Sequence, residues 1–248
     1  MVTLPSGRGS VILSNARYSR KLERVDALVL FDIDGTLIRR AGAHHREALV
    51  RAIRRTVGVD TTTEGVPVAG MLDRDILTTM MLRAGMKPAA IRKAMPHVVE
   101  SAQRIYIRTV PPLDRKVCPG VRRVLASLER RGVVIGLVTG NLSRIGWRKM
   151  ERAGLKRYFR FGAFAELAKD RAGLARLAIR RARKEKWISR AGSISLIGDH
   201  PNDVRAAKAN GIRSIAVATG LVPIEELRTH SPDVLLPDLR SLALEMLF

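Results

Sequence analysis

The chain has 248 residues, 46% of them hydrophobic, which suffices for one large domain or for a core with a smaller companion. No apolar run approaches the roughly 18 residues of a membrane helix, and the single cysteine excludes an internal disulfide and a cysteine-based zinc site. The formal net charge of +22 favours anionic partners, such as nucleic acid or an anionic substrate.

The N-terminal segment is basic and carries few apolar residues. Residues 1–22 contain four basic residues and no acidic one, and their longest apolar run is Val11-Ile12-Leu13. This composition predicts a flexible arm over residues 1–24 and excludes a secretory signal core. We therefore expect a cytoplasmic protein, with import into an organelle through the basic arm as the alternative.

Short apolar runs recur along the rest of the chain, each followed by a helical pattern. They predict strands at 27–31, 133–139, 193–198, 214–219 and 233–236, and helices at 120–131, 143–153, 171–186 and 202–210. Because the runs are continuously apolar, the strands are expected to be buried on both faces, as in parallel sheets covered by helices. The predicted fold class is α/β, with a doubly wound, Rossmann-like parallel sheet.

Helical periodicity replaces this alternation between residues 39 and 118. Helices are predicted at 44–57, 73–84 and 88–109, and the prolines of residues 110–120 indicate a return linker. We assign residues 25–38 and 119–248 to the α/β core and residues 39–118 to a small all-helical cap. The cap leaves from the end of the first strand and can therefore close over it.

Polar residues follow three of the predicted strands. They are Asp32, Asp34, Thr139, Gly140, Asn141, Asp199 and Asp203. The carboxyl ends of parallel strands meet at one edge of the sheet, where ligands bind in doubly wound folds. Four carboxylates there would repel one another, and Mg²⁺ is a suitable counter-ion because it prefers a few carboxylates with water and a phosphate oxygen. An Asp pair alone is equally typical of a turn or a helix cap.

The ordered motifs "DIDGT", "TGN" and "GDHPND" resemble those of the haloacid dehalogenase-like hydrolase superfamily over about residues 27–236. The segment "GMLDRDIL" (Gly70 to Leu77) looks like a cap segment of its phosphoglycolate-phosphatase-like members. The resemblance implies a Mg²⁺-dependent phosphatase that hydrolyses a small phosphate monoester through an aspartyl-phosphate. The family's dehalogenases lack an acid at the position of Asp34, because halide leaves without a proton, so Asp34 favours a phosphatase.

The resemblance also implies the roles of the acidic residues. Asp32 would be the nucleophile, and Asp34 would protonate the leaving alcohol and then deprotonate the attacking water. Mg²⁺ would be held by Asp32, by the backbone carbonyl of Asp34 and by Asp199. Asp203 would be a further ligand or would orient one.

The phosphoryl group would contact a second set of residues, namely Gly35, Thr36, Thr139, Gly140 and Asn141. Thr139 would donate its hydroxyl hydrogen, and backbone N–H groups at Gly35 and Asn141 would cradle oxygens. On the cap, Arg74 is a candidate for binding a substrate carboxylate, or it pairs with an acid on its own helix.

The family's third motif supplies a cation, usually a lysine, and its lysine–proline pattern is absent from residues 161–182. Alignment on the following helix puts Arg171 in that place, with Lys169 as the second candidate. Arginine keeps the charge and can bind phosphate with two hydrogen bonds, although it is not equivalent to lysine. Alternatively, Arg171 only starts a basic helix.

Four other residues are interpreted as ordinary. His44 and His45 are expected at the surface, with substrate contact as the alternative, while His200 is expected in a loop and Cys118 in a structural position. Two other functions stay open: a phosphoryl mutase related to β-phosphoglucomutase, and a basic nucleic-acid-binding protein on the same scaffold. Because the basic residues are dispersed and lack interleaved aromatics, a solvated basic surface is the simpler interpretation of the charge.

Overall fold

The computed structural model describes residues 25–39 and 43–248, so the predicted basic arm lies outside the described residues. Six strands form one parallel sheet. They are β1 (Ala27–Phe31), β2 (Val134–Val138), β3 (Phe161–Ala163), β4 (Ser193–Gly198), β5 (Arg213–Val217) and β6 (Val234–Leu236). Their order in the sheet is β3-β2-β1-β4-β5-β6, and every neighbouring pair is parallel. The predicted doubly wound α/β fold is confirmed.

Eight α-helices accompany the sheet within the described residues. They are α1 (His44–Val57), α2 (Asp73–Arg83), α3 (Pro88–Thr109), α4 (Val121–Arg130), α5 (Ser143–Arg152), α6 (Arg171–Lys184), α7 (Pro201–Ala209) and α8 (Ile224–Thr229). Helices α1 to α3 fall inside the predicted cap and pack on one another, while the domain boundaries themselves stay a prediction. None of the described helices is long and apolar enough to cross a bilayer.

Burial explains why the apolar runs form the sheet. All five residues of β1 are buried, and β1 lies between β2 and β4, with Leu28 opposite both Val134 and Ile194. A strand that carries only apolar side chains and is buried on both faces is typical of parallel sheets covered by helices. From β1 the chain adds β2 and β3 on one side of the sheet and then β4 to β6 on the other side. A crevice therefore forms at the carboxyl ends of β1, β2 and β4.

The cap insert begins and ends beside this crevice. Ile38 pairs in antiparallel fashion with Val117, and the Arg39 N–H donates to the Lys116 carbonyl at 2.7 Å. The two ends of the insert are therefore held together directly after β1, and the cap helices lie over the strand ends.

Candidate active site

A cavity of about 610 Å³ is lined by the strand ends of the core and by residues of the cap. Most residues that the sequence predicted for the site line it. They are Asp32, Asp34, Gly35, Thr139, Gly140, Asn141, Arg171 and Asp199. Three predicted residues do not line the cavity, namely Thr36, Arg74 and Asp203.

Three carboxylates gather beneath the cavity. Asp32, Asp199 and Asp203 are buried, and each offers an oxygen atom within 4.8 Å of the others. Two glycines make room for this cluster, because an added Cβ at Gly35 or Gly220 would lie 2.1 or 1.7 Å from Asp199 Oδ2. The backbone of Gly35 also has a φ of 84°, a conformation that other residues rarely adopt.

Arg171 partly compensates this negative charge. It is the first residue of α6, and its Nη1 donates to Asp203 Oδ1 at 2.7 Å and lies 3.0 Å from Asp32 Oδ1. Burial lowers the pKa of its guanidinium, but Asp203 and Asp32 outweigh burial and raise it. Lys169, the second candidate for the third-motif cation, is exposed and does not line the cavity.

Burial and mutual repulsion make the cluster a good binding site for a cation. Burial raises the pKa of Asp203 to about 7, although Arg171 acts in the opposite direction. Burial, Asp32 and Asp203 together raise the pKa of Asp199. Asp32 Oδ1 is buried and has no aligned hydrogen-bond donor among the described residues. A buried carboxylate oxygen without an aligned donor, beside two crowded carboxylates, fits a hard divalent cation.

Asp34 lies in a different environment, next to a lysine that the sequence analysis missed. Its carboxylate is 37% exposed and accepts from Lys149 Nζ at 2.6 and 2.8 Å and from Asn141 Nδ2 at 2.8 Å. Burial raises the pKa of Asp34, but the charge of Lys149, the neighbouring His45 ring and the hydrogen bonds from Lys149 and Asn141 outweigh it, so the pKa is lowered. The backbone carbonyl of Asp34 as a metal ligand stays a prediction.

The sequence did contain a signal for Lys149. In a helix, residues four apart share a face, and Lys149 lies four residues after Ile145 and directly before Met150, both fully buried. A lysine on the apolar face of α5 therefore needed a buried partner. This signal was missed because Arg148 and Arg152 lie on either side of Lys149, so that it looked like another exposed basic residue of the helix.

Of the predicted phosphate-binding residues, Thr139 can still donate a hydrogen bond, whereas Gly35 and Thr36 already donate to partners within the protein. Thr139 Oγ1 is buried and accepts from Asn141 Nδ2 at 2.7 Å, which leaves its own hydrogen to donate. The Gly35 N–H donates to the Ile38 carbonyl at 2.8 Å and is thus already engaged. Thr36 donates to Asp199 Oδ1 at 3.0 Å and orients that carboxylate instead of facing the cavity.

Arg74 and the histidines also differ from expectation. Arg74 is exposed on α2, and the basic residues that line the cavity from the cap side are Arg39, Arg46 and Lys116. His45 is not a surface residue: its side chain is 17% exposed, and its Nε2 lies 3.0 Å from Asp73 Oδ2.

His200 lines the cavity and is the N-cap of α7, where its Nδ1 accepts from the Asn202 N–H at 3.1 Å. The sequence analysis expected an ordinary loop residue there. Asp203 completes the cap from inside the helix, because its Oδ2 accepts from the His200 N–H at 3.2 Å. Cys118 is buried, in agreement with a structural role.

Known proteins resemble this chain in sequence and in fold. Residues 29–217 match the model of the haloacid dehalogenase-like hydrolase family. A phosphoglycolate phosphatase from Pseudomonas fluorescens is 28% identical over 228 residues, which cover 88% of this chain and 79% of that protein.

Two solved structures share the fold at low identity. A variant of CbbY from Rhodobacter sphaeroides in complex with xylulose-(1,5)bisphosphate has a TM-score of 0.68 at 20% identity and covers 90% of this chain and 99% of its own. The β-phosphoglucomutase from Clostridium difficile has a TM-score of 0.67 at 18% identity and covers 89% and 94%. The family match spans most of the core and all of the cap helices, so the chain belongs to the haloacid dehalogenase-like hydrolases.

Proposed function

We propose that the protein is a Mg²⁺-dependent phosphatase that hydrolyses a small phosphate monoester through an aspartyl-phosphate. The main support for this proposal is that the cavity has two distinct acidic environments. One is the buried cluster of Asp32, Asp199 and Asp203, and the other is the separate, partly exposed Asp34. One environment suits a nucleophile beside a metal, and the other suits a proton carrier that reaches the cavity. Similarity to phosphoglycolate phosphatases supports the substrate class.

In the first step, a carboxylate oxygen of Asp32 attacks phosphorus, and the ester oxygen leaves with its bonding electron pair and a proton from Asp34. Water then gives a proton to Asp34 and attacks the same phosphorus, which releases phosphate and restores Asp32. The lowered pKa of Asp34 means that it is ionised in the free enzyme at neutral pH. The negative charge of a bound phosphoryl group raises this pKa, which the acid step requires.

Other residues bind and orient the reacting groups. Arg171 forms ion pairs with both Asp32 and Asp203 and thereby orients Asp32. Thr139 has a hydroxyl hydrogen to donate to a phosphoryl oxygen. Asp32, Asp199 and Asp203 would hold Mg²⁺, which would supply neutralisation of the charge on the transferring group. The cavity of about 610 Å³ has the size of a small-molecule site, and the cap over it keeps bulk water from the aspartyl-phosphate.

The test is phosphate release from a panel of phosphomonoesters that includes phosphoglycolate, with Mg²⁺ and with EDTA. We expect turnover that EDTA abolishes and that Asp32→Asn lowers by roughly 10³-fold or more. Asp60→Asn is the matched control, because Asp60 is 79% exposed and does not line the cavity. Equal phosphate release by wild type and Asp32→Asn would contradict the proposal. Isomerisation of a sugar phosphate without net phosphate release would identify a phosphoryl mutase instead.

A further inference from the structure

Lys149 is a buried lysine that the reaction described above does not use. Its side chain is 0% exposed, and lysine is almost never fully buried unless it is paired. An ammonium group without partners would be very unfavourable there. The position of Lys149 therefore depends on the groups around its Nζ atom.

Its donors all find acceptors. Beyond both oxygens of Asp34, Nζ lies 2.6 Å from Asn141 Oδ1 and 3.2 Å from His45 Nδ1. The Tyr106 ring covers the group at 5.9 Å from its centroid. An ammonium group has three N–H bonds, and these four acceptor atoms on three residues are enough to satisfy all of them and to fix its position.

Asp73 determines which nitrogen of His45 can accept. Its Oδ2 accepts from the Leu142 N–H at 2.8 Å and lies 3.0 Å from His45 Nε2. Because a carboxylate only accepts hydrogen bonds, Nε2 carries the ring hydrogen and Nδ1 keeps its lone pair for Lys149. The cap thus supplies the last acceptor of a lysine that belongs to the core.

Asp34 is held in one orientation by this arrangement. Lys149 contacts both of its oxygens, while Asn141 Nδ2 donates to Oδ2 and is itself tied to Thr139. The remaining third of the Asp34 side chain faces the cavity. A buried ion pair adds little to stability compared with apolar packing, so stability alone is a weak reason for a buried lysine at this position.

We propose that Lys149 is a positioning residue for Asp34, and that His45 and Asp73 support it by presenting the Nδ1 lone pair. Lys149 keeps the Asp34 carboxylate turned toward the leaving oxygen of the substrate. This inference rests on the proposed function, in which Asp34 gives a proton to that oxygen. Arg171 serves the nucleophile in the same way, so each of the two catalytic carboxylates has its own buried cation.

The test uses leaving groups of different basicity with Lys149→Met. An alkyl phosphate needs a proton on its leaving oxygen, whereas 4-nitrophenyl phosphate leaves as a stable anion. We expect kcat/KM, which reports the steps up to loss of the leaving group, to fall by roughly 10²-fold on the alkyl ester and by less than about tenfold on the nitrophenyl ester. Equal losses on the two esters, or no loss on either, would overturn the inference.

Two further variants keep the test decisive. Arg148→Met is the matched control, because Arg148 is the neighbouring residue, is 33% exposed and pairs with Glu151, and it should keep both activities. If Lys149→Met does not fold, His45→Phe removes the Nδ1 acceptor and preserves a ring against Tyr106, and it should show the same selectivity with a smaller loss. Absence of turnover of both esters by the wild type would instead refute the proposed function.

Discussion

At the scale of single residues, two buried cations divide the acidic groups of the site. Arg171 contacts Asp32 and Asp203, and Lys149 contacts Asp34. Removal of one partner from a buried ion pair leaves an uncompensated charge, which costs more than the pair itself contributes. The two cations therefore differ from the many exposed arginines of the chain, whose removal costs little.

Arg171→Ala should lower the free energy of unfolding of the metal-free protein by roughly 3 kcal/mol, because Asp32 and Asp203 lose their shared partner. Lys169→Ala should stay within about 0.5 kcal/mol of wild type, because Lys169 is exposed. Urea unfolding in EDTA measures both values. Similar effects of the two substitutions would show that Arg171 is not the cation on which the carboxylates depend.

Asp203 should make the metal-free protein less stable as the pH rises. Its pKa is about 7 in the folded protein against an ordinary value of 3.8, so the folded state binds the proton more tightly. The stability that this proton contributes is fully present below about pH 4 and is lost as the pH rises through about 7. Thermal unfolding in EDTA should therefore show wild type losing stability relative to Asp203→Asn over this range. A difference that does not change with pH would contradict the assignment.

Sequence alone identified the acidic residues of the site but not how they pair. Asp32, Asp34, Asp199 and Asp203 were predictable because each follows a strand end, and parallel strand ends share one edge of the sheet. The contacts of Lys149 with Asp34 and of His45 with Asp73 were missed because these residues are 115 and 28 positions apart in the chain, and no local pattern records which residues will meet.

At the scale of elements, the cap meets the core through closely fitted backbone. The Asp73 N–H at the start of α2 donates to the Gly140 carbonyl at 2.7 Å, and Asn202 Nδ2 donates to the Gly70 carbonyl at 2.7 Å. A Cβ added at Gly140 would lie 2.3 Å from the Met71 carbonyl oxygen. The loop after β2 and the start of α2 can approach this closely only because residue 140 has no side chain.

Gly140→Ala should separate α2 from the loop after β2 and lower kcat/KM by roughly tenfold, since small displacements of a site are costly. Gly85→Ala is the matched control: it strains a cap glycine with a φ of 81°, but nothing lies within 4 Å of the new Cβ. We expect the control to lose stability and keep its activity. Steady-state kinetics and thermal unfolding of both variants distinguish a local clash from general strain.

The elements themselves were largely predictable. The bounds of α1 and α3 agree with the sequence analysis, because each shows clear helical periodicity and ends at a residue that changes the backbone, Gly58 for α1. Strand β3 was missed, because it has only three residues and a central glycine, Gly162. It joins the sheet through pairing with β2, and such pairing leaves no trace in a short segment.

At the scale of the whole molecule, the basic charge is widespread but not uniform. A surface groove beside α6 is lined by the basic residues Arg180, Arg181, Arg183, Lys184 and Arg190, with Glu185 as its acidic member. The cluster lies on the C-terminal half of α6 and on the residues just after it, whereas Arg171 begins the helix at the site. Binding of polyanions there and catalysis at the cavity would be independent properties.

Binding to an RNA oligonucleotide should be measurable at low salt and should be lost by about 0.15 M salt, where the Debye length is about 8 Å. Replacement of Arg180, Arg183 and Arg190 by Glu should weaken it and leave phosphate release unchanged. The same exchange at Arg51, Arg55 and Arg92, which are exposed on the cap, is the control for net charge. Retention of the probe at 0.15 M salt would favour the nucleic-acid-binding alternative.

The paired ends of the insert mean that the helical module is attached to the sheet at a single place. Since Arg39 and Lys116 already lie side by side, a short turn could join them without any change in strand order. An exchange of the intervening segment would then alter which molecules reach the carboxylates, and it would also remove His45 and Asp73, so the new segment must supply another acceptor for Lys149. In this architecture, selectivity can be engineered or can diverge by one cut and one rejoining of the chain, provided that the acceptor for Lys149 is kept.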